Sequence, residues 1–211
     1  MTVRTSRTRR ALLPLFALAA SACASTTQPT SYYTLMPDAN TVSAVPADSS
    51  YQIEVMPVEV PLQVDVPQMI VRTGKGELVP VDTRRWIAPL PNELRNALSW
   101  QLTRALGVRD VAGLGRNTTL PVYRISLRVQ RFDSAPGAYA RIEAAWSIRS
   151  SDGDAVVPVC SSSASIAVPP GYAELAQGHQ QAIAQIAAEI ASTLRNARNN
   201  KRDLACPSKP E

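Results

Sequence analysis

From Tyr123 to Ile148 the chain alternates between apolar and polar residues. Tyr123, Ile125, Leu127 and Val129 are separated by Arg124, Ser126 and Arg128, and Ala140, Ile142, Ala144, Trp146 and Ile148 by Arg141, Glu143, Ala145 and Ser147. A period of two puts each apolar side chain on one face of a strand and each polar one on the other. A slip of one residue would turn the whole apolar set into water, so the register is tightly specified. Two such strands, turning at Asp133–Gly137, demand a sheet with one wet face and one face that another layer must cover. A third strand, Ala155–Val168, follows a turn at Asp152-Gly153 and extends the antiparallel meander.

Helices supply the cover. In the stretch Arg84–Val111, Leu94, Ala97, Leu98, Gln101, Leu102, Ala105 and Leu106 share one side of a helix. Pro91 suits its first turn, where the amide it lacks would have no partner, and Gly107 suits a left-handed end. A second helix runs from Tyr172 to about Ala197 on Leu175, Ala176, Ile183, Ile186, Ala187, Ile190 and Leu194. Upstream, Tyr51, Ile53 and Val55 mark a strand, and Gln68–Arg72 and Glu77–Val81 flank Thr73-Gly74-Lys75-Gly76 as a hairpin. Tyr32-Tyr33-Thr34-Leu35 reads as an outer strand. The fold class expected is α+β, a mostly antiparallel or mixed sheet of about five to six strands with two long helices on one face.

The first residues read as an address. Arg4, Arg7, Arg9 and Arg10 precede an apolar run, Ala11–Ala20, which is too short to cross a membrane. Ala20-Ser21-Ala22-Cys23 follows, small residues and then a cysteine, as at a bacterial lipobox. Ordinary cleavage after Ala22 would cut the same bond. Residues 1–22 are expected to be a signal peptide and Cys23 the lipidated residue. Residues 23–50 would form a flexible tether with one short strand, 51–200 the globular domain and 201–211 a tail. With Cys23 acylated, by palmitate for example, Cys160 and Cys206 remain as an even pair for a disulfide in an oxidising compartment. Ala24, rather than an aspartate, follows the cysteine, which favours the outer membrane. Removing the four N-terminal arginines from a formal net charge of +5 leaves only about +1. That is no footprint for nucleic acid, which needs a clustered basic surface.

Little in the chain points to chemistry. His179, the one histidine, lies beside the apolar stripe of the last helix and reads as structural. No CxxC, HExxH, Walker A or GxGxxG pattern is present, and Ser161-Ser162-Ser163 lacks the glycines of a nucleophile elbow. No catalytic residue, metal site or cofactor is expected, and a hydrolase is the weakest reading. The candidates for partner binding are Trp100, Arg85, Trp86, Leu62, Val64 and Val66. Trp100 faces away from Leu98 and Ala105, and is either an interface anchor or covered by a loop. Pro57, Pro61 and Pro67 confine PVEVPLQVDVP to a sheet edge or a loop. If that run is extended, Leu62, Val64 and Val66 share one side as a contact strip; the alternative is a loop packed on its own domain. Arg85 and Trp86 either dock a partner or seat the loop before the helix. Arg124 and Arg128 read as a solvated face, with Glu143 across the strand.

In this order the segments resemble the ABC-type transport auxiliary lipoproteins, and within them the PqiC-type proteins. Tyr32-Tyr33-Thr34-Leu35 is similar to the family's opening strand, and Val66-Pro67-Gln68-Met69-Ile70-Val71-Arg72 to its proline-to-valine strand. Arg85-Trp86-Ile87-Ala88-Pro89-Leu90 resembles its Arg-Trp-Ala-Glu-Pro-Leu signature, with Ile87-Ala88 in place of Ala-Glu. Phe132, Pro136-Gly137 and the strand to Trp146 are similar to its central hairpin. The resemblance implies a non-enzymatic, lipid-anchored protein of the outer membrane that faces the periplasm. Its expected partner is the MCE-domain or other periplasmic subunit of an ABC-type system moving lipids or hydrophobic molecules between membranes, in support of membrane integrity. Self-association is left open. The alternative is a periplasmic lipid-binding carrier, against which the closely spaced alanines of the last helix argue.

Overall fold

A computed structural model of the chain describes Thr2 and residues 28–38, 48, 50–151, 156–199 and 206–207. The expected signal peptide, Cys23, most of the tether, the Asp152-Gly153 turn and most of the tail lie outside the described residues. The described chain runs β1 (Ser31–Tyr33), β2 (Gln52–Val55), a 3-10 turn (Leu62–Val64), β3 (Gln68–Arg72), β4 (Leu78–Trp86) and α1 (Leu90–Leu106). It continues through β5 (Val122–Ala135), β6 (Tyr139–Ser150), β7 (Val156–Ala167) and α2 (Tyr172–Asn199).

The class is α+β as the pattern predicts, but the strands divide into two sheets. One has the order β1-β4-β3 and the other β2-β5-β6-β7. The meander β5-β6-β7 is antiparallel, and β2 joins its edge parallel to β5. In the smaller sheet β3 and β4 form the expected hairpin, and β1 lies parallel to β4 with Ser31 opposite Arg84 and Tyr33 opposite Trp86. β4 runs on through Arg84-Arg85-Trp86 instead of ending at Val81, and this extension is what β1 pairs with.

Both helices cover the inner faces. Leu94, Leu98 and Leu102 of α1 and Ile183, Ile186, Ile190 and Leu194 of α2 are fully buried with Ile125, Ile142 and Trp146. Burial of each large aliphatic side chain is worth about 1.5–3 kcal/mol. Gly107 ends α1 with φ 68°. At Gly178 α2 passes so close to the sheet that a Cβ there would lie 2.4 Å from Val168 Cγ1 and 2.8 Å from Ala140 Cβ.

One expected boundary is corrected. Asp133, Ser134 and Ala135 belong to β5, and the turn is confined to Pro136-Gly137-Ala138. The register of β5 on β6 shifts between Val129 and Arg131, so β5 holds one residue more than its partner there. Such a bulge reverses the facing of everything beyond it. It turns Phe132 and Ser134 inward, where unbroken alternation would have sent Arg131 and Asp133.

Candidate docking surface

The N-terminal segment is built into the domain rather than hung from it. Leu35 is fully buried. Its amide donates to Glu93 Oε2 at 2.7 Å, and the Thr34 hydroxyl donates to the same oxygen at 2.7 Å. From α2, Gln180 Nε2 donates to the carbonyls of Thr34 (3.0 Å) and Met36 (3.2 Å). Glu93 is buried on the core side of α1, where its carboxylate satisfies donors that would otherwise be stranded. The expected tether over 23–50 is therefore interrupted at 31–36 by an ordered, doubly clamped segment. Sequence patterning finds the strand but not the clamp: Glu93 and Gln180 are ordinary helix residues whose partners lie 58 and 146 positions away.

Two docking candidates are buried. Trp86 is only 4% exposed, edge-on to Phe132 at 5.8 Å and to His179 at 6.3 Å. It seats the end of β4 in the core and offers no face to a partner. Val64 is buried as well, because residues 62–64 wind into a 3-10 turn instead of extending. The turn sends Leu62 outward, 86% exposed, and Val66 is half-buried. Arg85 is half-buried, and its Nε donates to the Asp82 carbonyl at 3.1 Å. Trp100 is half-buried, with the Arg104 guanidinium 4.9 Å from its ring centre.

His179 is fully buried, stacked on Phe132 at 3.9 Å, with Nε2 2.8 Å from Ser134 Oγ. Burial pushes its pKa down to about 3, so the ring is neutral. On the wet face of the larger sheet Arg124 pairs with Glu54 (2.6 Å) and Arg128 with Glu59 (2.7 Å). Glu143 faces Arg131 instead of the two arginines expected. Cys160 and Cys206 are joined in a disulfide with a Cα–Cα distance of 5.4 Å. Among the described residues no group of three His, Cys, Asp or Glu is placed to hold a metal ion.

The proline run forms a ridge along the free edge of the larger sheet. Met56 and Glu59 donate backbone hydrogen bonds to Ile125 and Leu127, and Val129 donates back to Glu59. Pro57 and Pro61 prevent a longer ladder. A groove of about 330 Å³ lies on one side of the ridge, between Met56-Pro57 and Pro91, Asn92 and Arg95 of α1. A wider one of about 540 Å³ lies on the other, floored by Ser126, Ala145 and Ser147 and walled by Arg128 and Val159. Val159 is 73% exposed. Arg95 is held in place by Asp110, whose carboxylate also accepts from Ser99 Oγ and the amides of Val55 and Ala112. This hub carries no motif a single sequence would reveal.

Residues 33–191 match the family model described as the ABC-type transport auxiliary lipoprotein component. No curated protein matches the chain. Among solved structures, an uncharacterised protein is similar over 79% of this chain and 99% of its own, at 20% identity and a TM-score of 0.62. A Xanthomonas campestris protein of the DUF330 family is similar over 82% of this chain and 99% of its own, at 23% identity and a TM-score of 0.60. At these identities the structural likeness speaks for the fold alone. Among the described residues no helix is long and apolar enough to cross a membrane.

Proposed function

The chain belongs to the ABC-type transport auxiliary lipoprotein family, and from that premise we propose that it works without catalysis, as the outer-membrane-anchored periplasmic subunit of an ABC- or MCE-type intermembrane transport system. Acyl groups on Cys23 hold it at the bilayer, and its folded surface docks the periplasmic component. Several acyl chains anchor a protein stably. Confinement at the membrane also raises the effective concentration of the docking surface and lets a modest interface suffice.

The observation that carries the docking half of this reading is the ridge over residues 56–62. It presents Pro57 between two open grooves, exposed Leu62 further along the ridge, and exposed Val159 across the wider groove. An apolar edge with flanking pockets suits an extended segment or a strand edge of another protein. Arg95 walls the narrow groove, and of the sequence candidates Trp100, Arg85 and Leu62 line neither groove.

The test is crosslinking in intact envelopes, with a photoreactive residue at Leu62 or Val159 and a control at Gln130. A single periplasmic transport subunit captured from the first two positions and not the third is the expected result. Leu62→Asp is expected to reduce its co-purification while leaving thermal stability within about 0.5 kcal/mol, as for other surface changes. Equal capture from all three positions would defeat the docking assignment. For the anchor, labelled palmitate is expected in the chain and absent from Cys23→Ser.

A further inference from the structure

The clamped first strand leaves a short leash. Cys23 and Ser31 are separated by eight residue steps, which span at most about 29 Å when fully extended. The clamp on Thr34, Leu35 and Met36 and the pairing of β1 with β4 prevent the domain from lengthening it. Whatever surrounds the entry to β1 is therefore held within that distance of the acyl groups.

The topology decides what surrounds it. Because β1 runs parallel to β4 with Ser31 opposite Arg84, the part of β4 before Arg84 extends backward past the point where the chain enters. The paired hairpin projects there: Gln68 faces Arg85, and Arg72 faces Leu78 at the far end. Four residue steps along β3 correspond to about 13 Å, and the turn over 73–77 lies beyond them. A surface reached by the tether meets this hairpin together with the β5–β6 turn beside it, to which Arg72 is tied through Asp133 at 3.0 Å.

The hairpin's composition fits such a surface. Leu78 and Val79 are 40% and 36% exposed, Pro80 is exposed beside them, and Tyr32, at the entry itself, is 57% exposed. Glu77 is drawn into the turn, where its carboxylate accepts from the Thr73 hydroxyl and its carbonyl from the Thr73 amide. Lys75 is exposed at the tip. Aliphatic side chains below a lysine and a tyrosine make the pattern that settles at a membrane interface.

We propose that the β3–β4 hairpin rests in the headgroup region of the bilayer that carries the chain's own acyl groups, with Leu78 and Pro80, which share one face of β4, against the acyl boundary. The proposal rests on the acyl-anchor reading above. It gives the domain a fixed attitude on the membrane.

The test uses the full chain expressed in a Gram-negative host fed with labelled palmitate. Isolated envelopes are supplied with a phospholipid bearing a photoreactive acyl chain, irradiated, and the chain is mapped by mass spectrometry. Palmitate incorporation reports on the anchor, and lipid adducts report on the hairpin. Adducts concentrated on residues 70–81 and absent from the wet-face peptide around Gln130 are expected. Leu78→Glu is expected to lose most of the hairpin adducts with palmitate incorporation unchanged. Should that variant melt early, Lys75→Glu at the exposed tip supplies the same comparison. Acylated chain without adducts on 70–81 overturns the hairpin proposal and leaves the anchor standing. Adducts on 70–81 in a chain without palmitate overturn the anchor, and with it the claim that the chain's own acyl groups bring the hairpin to the bilayer. Absence of both removes both.

Discussion

His179 shows how one side chain ties stability to pH. In water its ring would titrate near 6.5, but in the fold burial holds its pKa at about 3. Above pH 6.5 the ring is neutral in both states and contributes no pH dependence. Below it the unfolded chain takes up a proton that the folded chain refuses, so stability falls by about 1.4 kcal/mol per pH unit until the folded value is reached. His179→Phe keeps the stack on Phe132 but strands the Ser134 hydroxyl, at a cost of about 1 kcal/mol. It removes this titration. Urea denaturation at pH 7.5 and pH 5 is expected to show the native chain losing about 2 kcal/mol more than the variant between the two. Equal losses would mean that the ring is protonated inside the fold. The structural character of His179 was legible from its place beside an apolar stripe. That of Trp86 was not, because an Arg-Trp pair before a proline reads equally as docking surface or plug, and only the inward turn of Phe132 at the bulge decides it.

At the scale of elements, local periodicity carried far. The α1 stripe, its Gly107 end, the long α2 and the alternating β5 and β6 follow from periods of 3.6 and 2 that each segment carries within itself. The division into two sheets does not, since the parallel pairing of β1 with β4 joins residues 53 positions apart and leaves no local mark. The β5 bulge hides for the opposite reason: a broken alternation looks like the start of a turn. Two predictions belong here. Glu93→Ala strands the Leu35 amide and the Thr34 hydroxyl and is expected to cost about 2–3 kcal/mol. Hydrogen exchange should then quicken at 31–36 while the α1 amides stay protected; uniform quickening would show that the clamp is not a local device. At Gly178 an alanine would gain about 1 kcal/mol of helix propensity. The close approach to Val168 and Ala140 reverses the sign, because overpacking costs about 1–3 kcal/mol. Gly178→Ala is expected to melt lower by several degrees, and a higher melting temperature would mean that α2 can ride away from the sheet.

For the whole molecule, the two ends of the described chain are stitched to different sheets. The N-terminal end enters β1 of the smaller sheet, and the C-terminal end is bonded through Cys206 to Cys160 on β7 of the larger. Cys160 is buried opposite Trp146, one residue from exposed Val159, so Cys206 is held beside the wide groove. The bond closes a loop of 46 residues, which in the chain-entropy account stabilises the fold by about 4 kcal/mol. Cys206→Ala removes the crosslink at an exposed position and leaves a small buried thiol that packs like any apolar group. It is expected to lose about 2–4 kcal/mol in denaturant without a change in secondary structure. The native chain under reductant should fall to the same midpoint, and the variant should be indifferent to reductant. A variant as stable as the native chain would mean that the tail is bonded but idle. A fall in stability with crosslinking from Leu62 intact would separate the tail's part in holding the fold from any part in presenting the ridge.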